Sequence, residues 1–390
     1  MRPYLRVANV FEDRIDTSDL KEMDFSDVFE RYKLEPGDVL LNEGQSPELL
    51  GRPAIYRGVP ENVAFTNTLL RFRAGPAVLP EWALAVFRRH MHSRRFVREA
   101  RITTNIAHLS ASRLKSVEFP VPPLDEQRRI IDVLEDHLSR LDAAITDLSQ
   151  AGRRTAAYKA VAAVAELEAA GGEFASLAAI STTVRNGIFV SRARTEPSGV
   201  PILRIGAVRP LSLDLTDLRY SERDRDDLAA NNALLDGGDL LLTRYNGNPQ
   251  FVGACAMVPY DVGDLTYPDK LIRVKIDRNI ADPGFVALAC SFGEGRRQIQ
   301  SKVKTTSGQS GISGADLKRV AIRLPDLSVQ AEVVKRVQEA LDHANRLTAA
   351  TGAARRRGTL LRRALLDAAF SGRLTGRASD MDVVEELAGV

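Results

Sequence analysis

Thr103-TNIAHLSASRLKSVEFPVPPLDEQRR-Ile130 and Thr305-TSGQSGISGADLKRVAIRLPDLSVQAEV-Val334 are the two stretches whose reading decides the fold of this chain. Each passes from a polar loop to a proline-led approach, Val121-PPL or Arg323-LPDL, and then into residues with helical spacing. Working outward, Leu5-RVANV corresponds to Leu203-RIGAV, and Leu34-EPGDVLLNEG to Leu235-DGGDLLLTRYNG. Gly51-RPAI lines up with Gly253-ACAM, and Asn67-TLLRFR with Asp269-KLIRVK. A self-similarity at about 200 residues is too long for a solenoid and reads as an internal duplication.

Each copy reads the same way. Short β-rich runs, Asp38-VLL, Leu69-LRFR, Asp239-LLLTRY and Leu271-IRVKI, alternate with Gly-, Pro- and Asn-containing turns. Gly37-Asp38 and Gly238-Asp239 read as turns feeding strands. One helical stretch is expected at Pro80 to Arg101 and one at Pro283 to Lys304, so the globular parts are mixed α and β. Trp82, Phe87 and Phe96 read as helix core, not as base-stacking platforms.

After each globular part, Asp125 and Ser328 are placed to cap a helix start. Ile131, Leu134, Leu138, Leu141, Ile145 and Leu148 then step by three and four, an apolar seam. Val334, Val337, Leu341 and Ala344 repeat that register before it weakens at Thr348 and Thr351. The two seams are natural partners for one another; the other arrangement lays each helix on its own domain. The helices are expected from Leu124 to Gly171-Gly172 and from Leu327 to Gly372, with breaks at Gly152 and Gly352. Some 45 residues would span roughly 70 Å if straight. The expected organisation is 1–123, a first globular domain; 124–172, a long helix; 173–325, a second domain; 326–372, a second helix; and 373–390, a tail.

A length of 390 residues fits two or three domains, and with 44% hydrophobic residues and no low-complexity tract each domain has a core to bury. The net charge of +3 names no partner, but its distribution is uneven. Arg88, Arg89, Arg94, Arg95, Arg98 and Arg101 cluster against Glu99 alone, and Arg296, Arg297, Lys302 and Lys304 form a later cluster. Either cluster is a phosphate-binding surface or a solvated helix face. Cys255 and Cys290 lack metal spacing, and His90 and His92 read as surface residues, so neither metal nor cofactor is expected. No stretch approaches the ~18 apolar residues of a membrane span, and MRPYLRVANV lacks a signal-peptide core, so a cytoplasmic location without membrane contact is expected.

LEPGDVLLNEG, NIAHLSASRLKSVEFPVPPLDEQRRI and LLRRALLDAAFSGRL resemble the specificity subunit of type I restriction-modification systems, nearly end to end. The resemblance implies two target-recognition domains, residues about 1–123 and 173–325, each reading one half of a bipartite site in double-stranded DNA. It implies two helices in an antiparallel coiled coil with pseudo-twofold symmetry, setting the gap between half-sites. It further implies docking of methyltransferase subunits, two in number, and delivery of a translocating restriction subunit in phage defence. One departure is visible. The second copy has roughly 30 residues, Glu173 to Pro201, ahead of Ile202-LRIGAV, whereas the first opens that segment at Tyr4, so its front is expected to be missing through truncation or an internal start.

No catalytic set stands out. Asn246-GNP lacks the second proline and aromatic of an adenine-methylating motif, and Ile205-GAV lacks the repeated glycines of a cofactor loop. Asp316-LK is a turn or cap, not a nuclease lysine with clustered carboxylates. A non-catalytic DNA reader must supply phosphate contacts for position and base-edge contacts for identity. In the second domain Arg244, Tyr245, Asn246, Asn248 and Gln250, with Gln309, fit that need; in the first, Asn42-EGQSPE offers Glu43 and Gln45, beside Thr103-TN. Arg94, Arg95, Arg296 and Arg297 are the phosphate candidates. Two rival readings are a duplicated protein-binding adaptor or oligomerisation scaffold without DNA specificity, and a remnant enzyme domain. For any single loop residue, an ordinary hairpin turn is the alternative.

Overall fold

The computed structural model describes residues 1–103, 105–190, 194–306, 308–374 and 380–389. Thr104 and Ser307 in the two expected polar loops, and 375–379 and Val390 in the expected tail, lie outside the described residues. The chain divides into two compact units, Met1–Ala151 with Thr351–Val390, and Gly152–Ala350.

In the second unit, an antiparallel four-stranded sheet runs in the order Ser181–Asn186, Leu271–Ile276, Leu240–Thr243, Cys255–Met257. Leu240-LLT is buried at every residue, as expected for a central strand covered on both faces. The turn before it works as the sequence suggested. Gly238 adopts φ +89°, and Asp239 Oδ2 accepts the Asp236 N–H at 2.9 Å. A second, short pairing joins Glu173–Ser176 to Ala321–Leu324.

The first unit has the corresponding sheet one strand shorter, Pro53–Ile55, Val39–Asn42, Leu69–Phe72, with the same turn: Gly37 at φ +95° and Asp38 Oδ2 accepting the Glu35 N–H at 2.9 Å. Arg71 donates to the Lys33 carbonyl at 2.9 Å and lies over the Phe65 ring. Arg273 does the same in the second unit, donating to the Leu234 carbonyl at 2.6 Å over the Tyr267 ring.

Each expected helical stretch is in fact two helices. Pro80–His92 and Arg95–Glu99 are separated by Arg94 in the left-handed region at φ +58°; Pro283–Ser291 and Gly293–Ser301 turn at Gly293, φ +60°. Both then give way to strand, Arg101–Thr103 and Lys304–Thr306. Trp82, Phe87 and Phe96 are buried in the first unit's core, with the Trp82 indole donating to the Pro120 carbonyl. His90 is buried too, not at the surface: its Nε2 is 2.7 Å from the Glu118 carbonyl oxygen.

The long helices run Leu124–Ala169 and Leu327–Phe370, continuing through Gly152 and Gly352 where breaks were expected. They begin one residue earlier than the caps assigned from sequence. Asp125 and Ser328 fall inside the first turn, and the backbone carbonyls of Pro123 and Asp326 accept the first amides instead. The approach is held by two fully buried glutamines that the sequence reading passed over. Gln127 Oε1 accepts the Leu79 N–H, while its amide donates to the Ala77 and Pro122 carbonyls. Gln330 repeats the pattern on Asp282, Ile280 and Pro325.

Within the first unit, Ile131, Leu134 and Leu138 are buried in one core with Leu84 of the globular part and with Leu365, Leu366 and Ala369 of the second helix. Leu141, Ile145 and Leu148 are half-buried, and a side chain at Gly358 would meet Ile145 at 3.0 Å, so glycine lets the helices approach there. Within the second unit, Ala163, Leu167, Val337 and Ala344 are buried, with Leu341 partly so. Val333 is buried, and Val334 beside it is partly buried against the same core, next to Gly284 of the globular part. Arg362 pairs with Asp142 in the first unit, and Lys159 bonds Asn345 and Arg336 pairs with Glu166 in the second. Residue numbers therefore rise along one helix as they fall along the other. The expected tail contains a helix, Asp380–Ala388, whose Val384 is buried in the first unit's core.

Candidate nucleic-acid interface

The two loops singled out in the second copy meet in one three-stranded antiparallel sheet, Tyr245–Asn246, Gln309–Gly311 and Lys304–Thr306. Tyr245 is opposite Gly311 and Asn246 opposite Ser310, while Thr306 is opposite Gln309. The Tyr245 ring lies across Gly311, where an added Cβ would stand 2.5 Å from the ring, so only glycine leaves it room. The Arg244 guanidinium stacks 4.7 Å from the centroid of that ring and reaches the Asp269 carbonyl at 3.3 Å. A guanidinium, a phenol and a carboxamide thus share one surface strand and its flank.

The segment beyond is ordered by its own amides. Asn246 Oδ1 accepts the Asn248 N–H at 2.9 Å, and Asn248 Oδ1 accepts the Gln250 N–H at 3.0 Å, capping the single turn Pro249–Phe251. Those oxygens are used within the segment, and each carboxamide also carries two N–H donors. The Gln250 and Gln309 side chains are exposed and have no hydrogen-bond partner among the described residues.

The basic candidates separate into two kinds. Arg296 donates to the Val252 carbonyl at 3.0 Å and to that of Gln250 at 2.5 Å, so it buttresses the loop instead of meeting solvent anions. Burial there depresses its pKa. Arg297 is exposed and pairs with Glu294 one turn away. Lys304, at the sheet's edge, is exposed without an ion pair among the described residues.

The first unit carries a matching sheet, Gly44–Gln45, Ile106–His108 and Arg101–Thr103. Gln45 Oε1 accepts the Ser46 N–H at 3.1 Å; Glu43, half-buried, precedes the strand. The His108 ring sits against Gly44. Arg95 is not free for phosphate: it is clamped by Glu99 and by Glu118, whose carboxyl the Arg95 hydrogen bonds hold down to about 2. Arg88 is likewise consumed by Glu12 and Arg89 by Asp367. Arg94, Arg98 and Arg101 remain exposed without an ion pair among the described residues.

No group of His, Cys, Asp and Glu suited to a metal occurs among the described residues. Cys255 and Cys290 are buried and unbridged, and no described helix is long and apolar enough to cross a membrane. Asp316 serves as a helix-start residue, its amide donating to Ser313 Oγ and its carboxylate accepting from the same hydroxyl.

Residues 91–150 match the family described as type I restriction modification DNA specificity domain. The chain is 29% identical to the type I restriction enzyme EcoKI specificity subunit of Escherichia coli (strain K12), over 98% of this chain and 85% of that protein. It is 24% identical, over the same shares, to the StySPI specificity subunit of Salmonella potsdam. Among solved structures, a chain described under complex assembly and conformational transition of the type I R-M system superposes with a TM-score of 0.74 at 16% identity, covering 96% of this chain and 92% of that one. The HsdS subunit from Thermoanaerobacter tengcongensis gives 0.56 at 17% identity, covering 96% and 91%.

Proposed function

We propose that this chain, a relative of the specificity subunits of type I restriction enzymes, is the DNA-specificity subunit of such a complex and carries no catalytic chemistry itself. The observation that carries the reading is the surface sheet that unites Arg244, Tyr245, Asn246 and Gln309 and has a counterpart at Gly44–Gln45. Planar amides read adenine edges, and a guanidinium reads guanine; exposed Lys304, Arg98 and Arg101 fix position on phosphates.

On this reading the two units are copies of one recognition module, each reading half of a bipartite duplex site. The long helices form an antiparallel coiled coil that sets the gap and docks two methyltransferase subunits, with a translocating restriction subunit joining the assembly. The methyl donor belongs to the partners. The opposed numbering of the interhelical contacts in each unit supports that pairing.

The test is coexpression with an adenine methyltransferase subunit, followed by genome-wide mapping of methylated bases. A two-part motif with a fixed gap is expected; no methylation, or a contiguous motif, overturns the reading. An adaptor without DNA specificity would show neither a motif nor the steep loss of DNA affinity with salt that phosphate contacts impose.

A further inference from the structure

Each three-stranded surface sheet carries one row of directly opposed residues across its strands. The row is Tyr245, Gly311, Lys304 in the second unit and Gly44, His108, Arg101 in the first. Directly opposed residues of antiparallel strands share a face, so each row presents its side chains on one surface. Backbone hydrogen bonds fix how the rows correspond. The Arg244 amide donates to the Lys270 carbonyl and its carbonyl accepts the Ile312 amide, while Glu43 makes the same two bonds with Thr68 and Leu109. Gly44 therefore stands where Tyr245 does, and His108 where Gly311 does.

Ring and glycine have changed strands between the two rows. In the second unit the Tyr245 ring lies across Gly311. In the first, the His108 ring lies across Gly44 from the other strand, and an added Cβ at Gly44 would stand 3.1 Å from its Nδ1 and from its Cε1. Neither glycine has a positive φ, so what each supplies is room. The pair has space for one ring, and either strand can provide it. Aligning the copies residue by residue sets Tyr245 against Gly44 and hides that both sheets carry a ring at this point. A cation, Lys304 or Arg101, ends each row and is exposed. His108 is exposed too, and its ring nitrogens have no hydrogen-bond partner among the described residues.

We propose that His108 is the base-reading ring of the first unit, the counterpart of Tyr245, and that it contacts a base edge of the half-site this unit reads while Arg101 beside it meets a phosphate. The assignment rests on the DNA-reading function proposed above and adds a specificity residue to it. The Nδ1–Cε1 edge rests on Gly44, which leaves Nε2 to the base. A neutral imidazole carries one N–H and one lone pair, whereas a phenol carries a single hydroxyl, so the two rings select different base edges. One scaffold position with two ring chemistries gives the two units different preferences at the same point of their half-sites.

Genome-wide methylation mapping with the full chain and an adenine methyltransferase subunit reads both half-sites at once. His108→Phe keeps a ring over Gly44 and removes both nitrogens. It should relax the preference at one or two neighbouring positions of one half-site by about tenfold and leave the other half-site as it was. Arg244→Ala should relax the opposite half-site. The paired exchange Gly44→Tyr with His108→Gly installs the second unit's arrangement in the first, and should change the base preferred at the position that His108→Phe relaxes. Retention of the remaining positions of that half-site shows that the first unit is folded. A motif that both His108 variants leave unchanged overturns the assignment and leaves DNA reading in place. Loss of the whole half-site in both makes the ring structural, and uniform loss with a shallower salt dependence of DNA affinity makes His108 a phosphate contact; either result overturns base reading by His108. A wild-type chain that yields no two-part motif overturns the DNA-reading function itself, and this assignment with it.

Discussion

Gln330 Oε1 accepts the backbone N–H of Asp282 at 2.7 Å, tying the start of the second long helix to the loop that opens the helix Pro283–Ser291. Gln127 ties the first long helix to Leu79 in the same way at 2.9 Å. Each glutamine uses both ends of its amide and is fully buried, so truncating it strands backbone groups away from water.

Gln330→Ala should therefore lower stability by about 2 kcal/mol, since a buried polar group left without its partner costs about 1–3 kcal/mol. Urea unfolding of the full chain should show the loss as a shifted transition for the second unit. Gln330→Glu should be no milder, because it replaces the donor to Pro325 with a buried charge. An unchanged transition for both variants would mean the glutamines fill space only.

A second expectation concerns acid. Glu12 receives Arg88 at 2.8 Å and His92 at 2.9 Å, with Arg362 at 3.5 Å. Burial raises its pKa, but the His92 hydrogen bond and the charges of Arg88, His92 and Arg362 prevail, holding it at about 2 against an ordinary 4.5. A depressed carboxylate stabilises the fold above its unfolded pKa and loses that contribution as pH falls through the folded one. Wild-type stability should thus decline between pH 4.5 and 2, by on the order of 3 kcal/mol from this group. Glu12→Gln should lower stability at pH 7 and flatten that decline; an identical acid profile would remove Glu12 as its source.

How much of this was visible in the sequence depends on what each residue's role requires. Leu240-LLT was legible as a strand because its burial follows from an apolar run, and Gly238-Asp239 as a turn because only a few residues tolerate that backbone. Gln127 and Gln330 were not, since a polar residue one turn into a helix looks like a solvated position until the loop it binds is placed. Arg94 breaks its helix through a left-handed backbone that no propensity forecasts for arginine. The candidate loops at Arg244 and Gln309 were legible by composition, but their meeting in one sheet rests on a pairing across more than 60 residues. Charge was the poorest guide, because sequence shows the arginine and not the carboxylate or carbonyl that consumes it.

That distinction gives a third expectation. Lys304→Ala and Arg101→Ala should weaken DNA binding about equally for all sequences and each reduce the salt slope by about 1. Arg244→Ala should instead relax preference at particular positions of one half-site, costing about 1–3 kcal/mol there. Arg296→Ala should disturb that same half-site by releasing the carbonyls of Val252 and Gln250, with little change in salt slope. Binding measured by anisotropy across salt concentrations separates the three; a full unit of slope lost with Arg296 would make it a phosphate contact.

The helices carry the last expectation. Lengthening one alone would misalign the pairing of Arg362 with Asp142, so matched insertions are needed: four residues between Leu141 and Asp142 and four between Arg362 and Arg363, which leave Asp142 opposite Arg362. Four helical residues add about 6 Å, close to two steps of 3.4 Å along a DNA strand, so the gap in the methylated motif should grow by about one or two base pairs. Both half-sites should stay as they were, because none of the sheet residues that would read them moves within its own unit. A motif whose half-sites change while the gap does not would place sequence reading in the helices and spacing in the globular parts, reversing the division of labour.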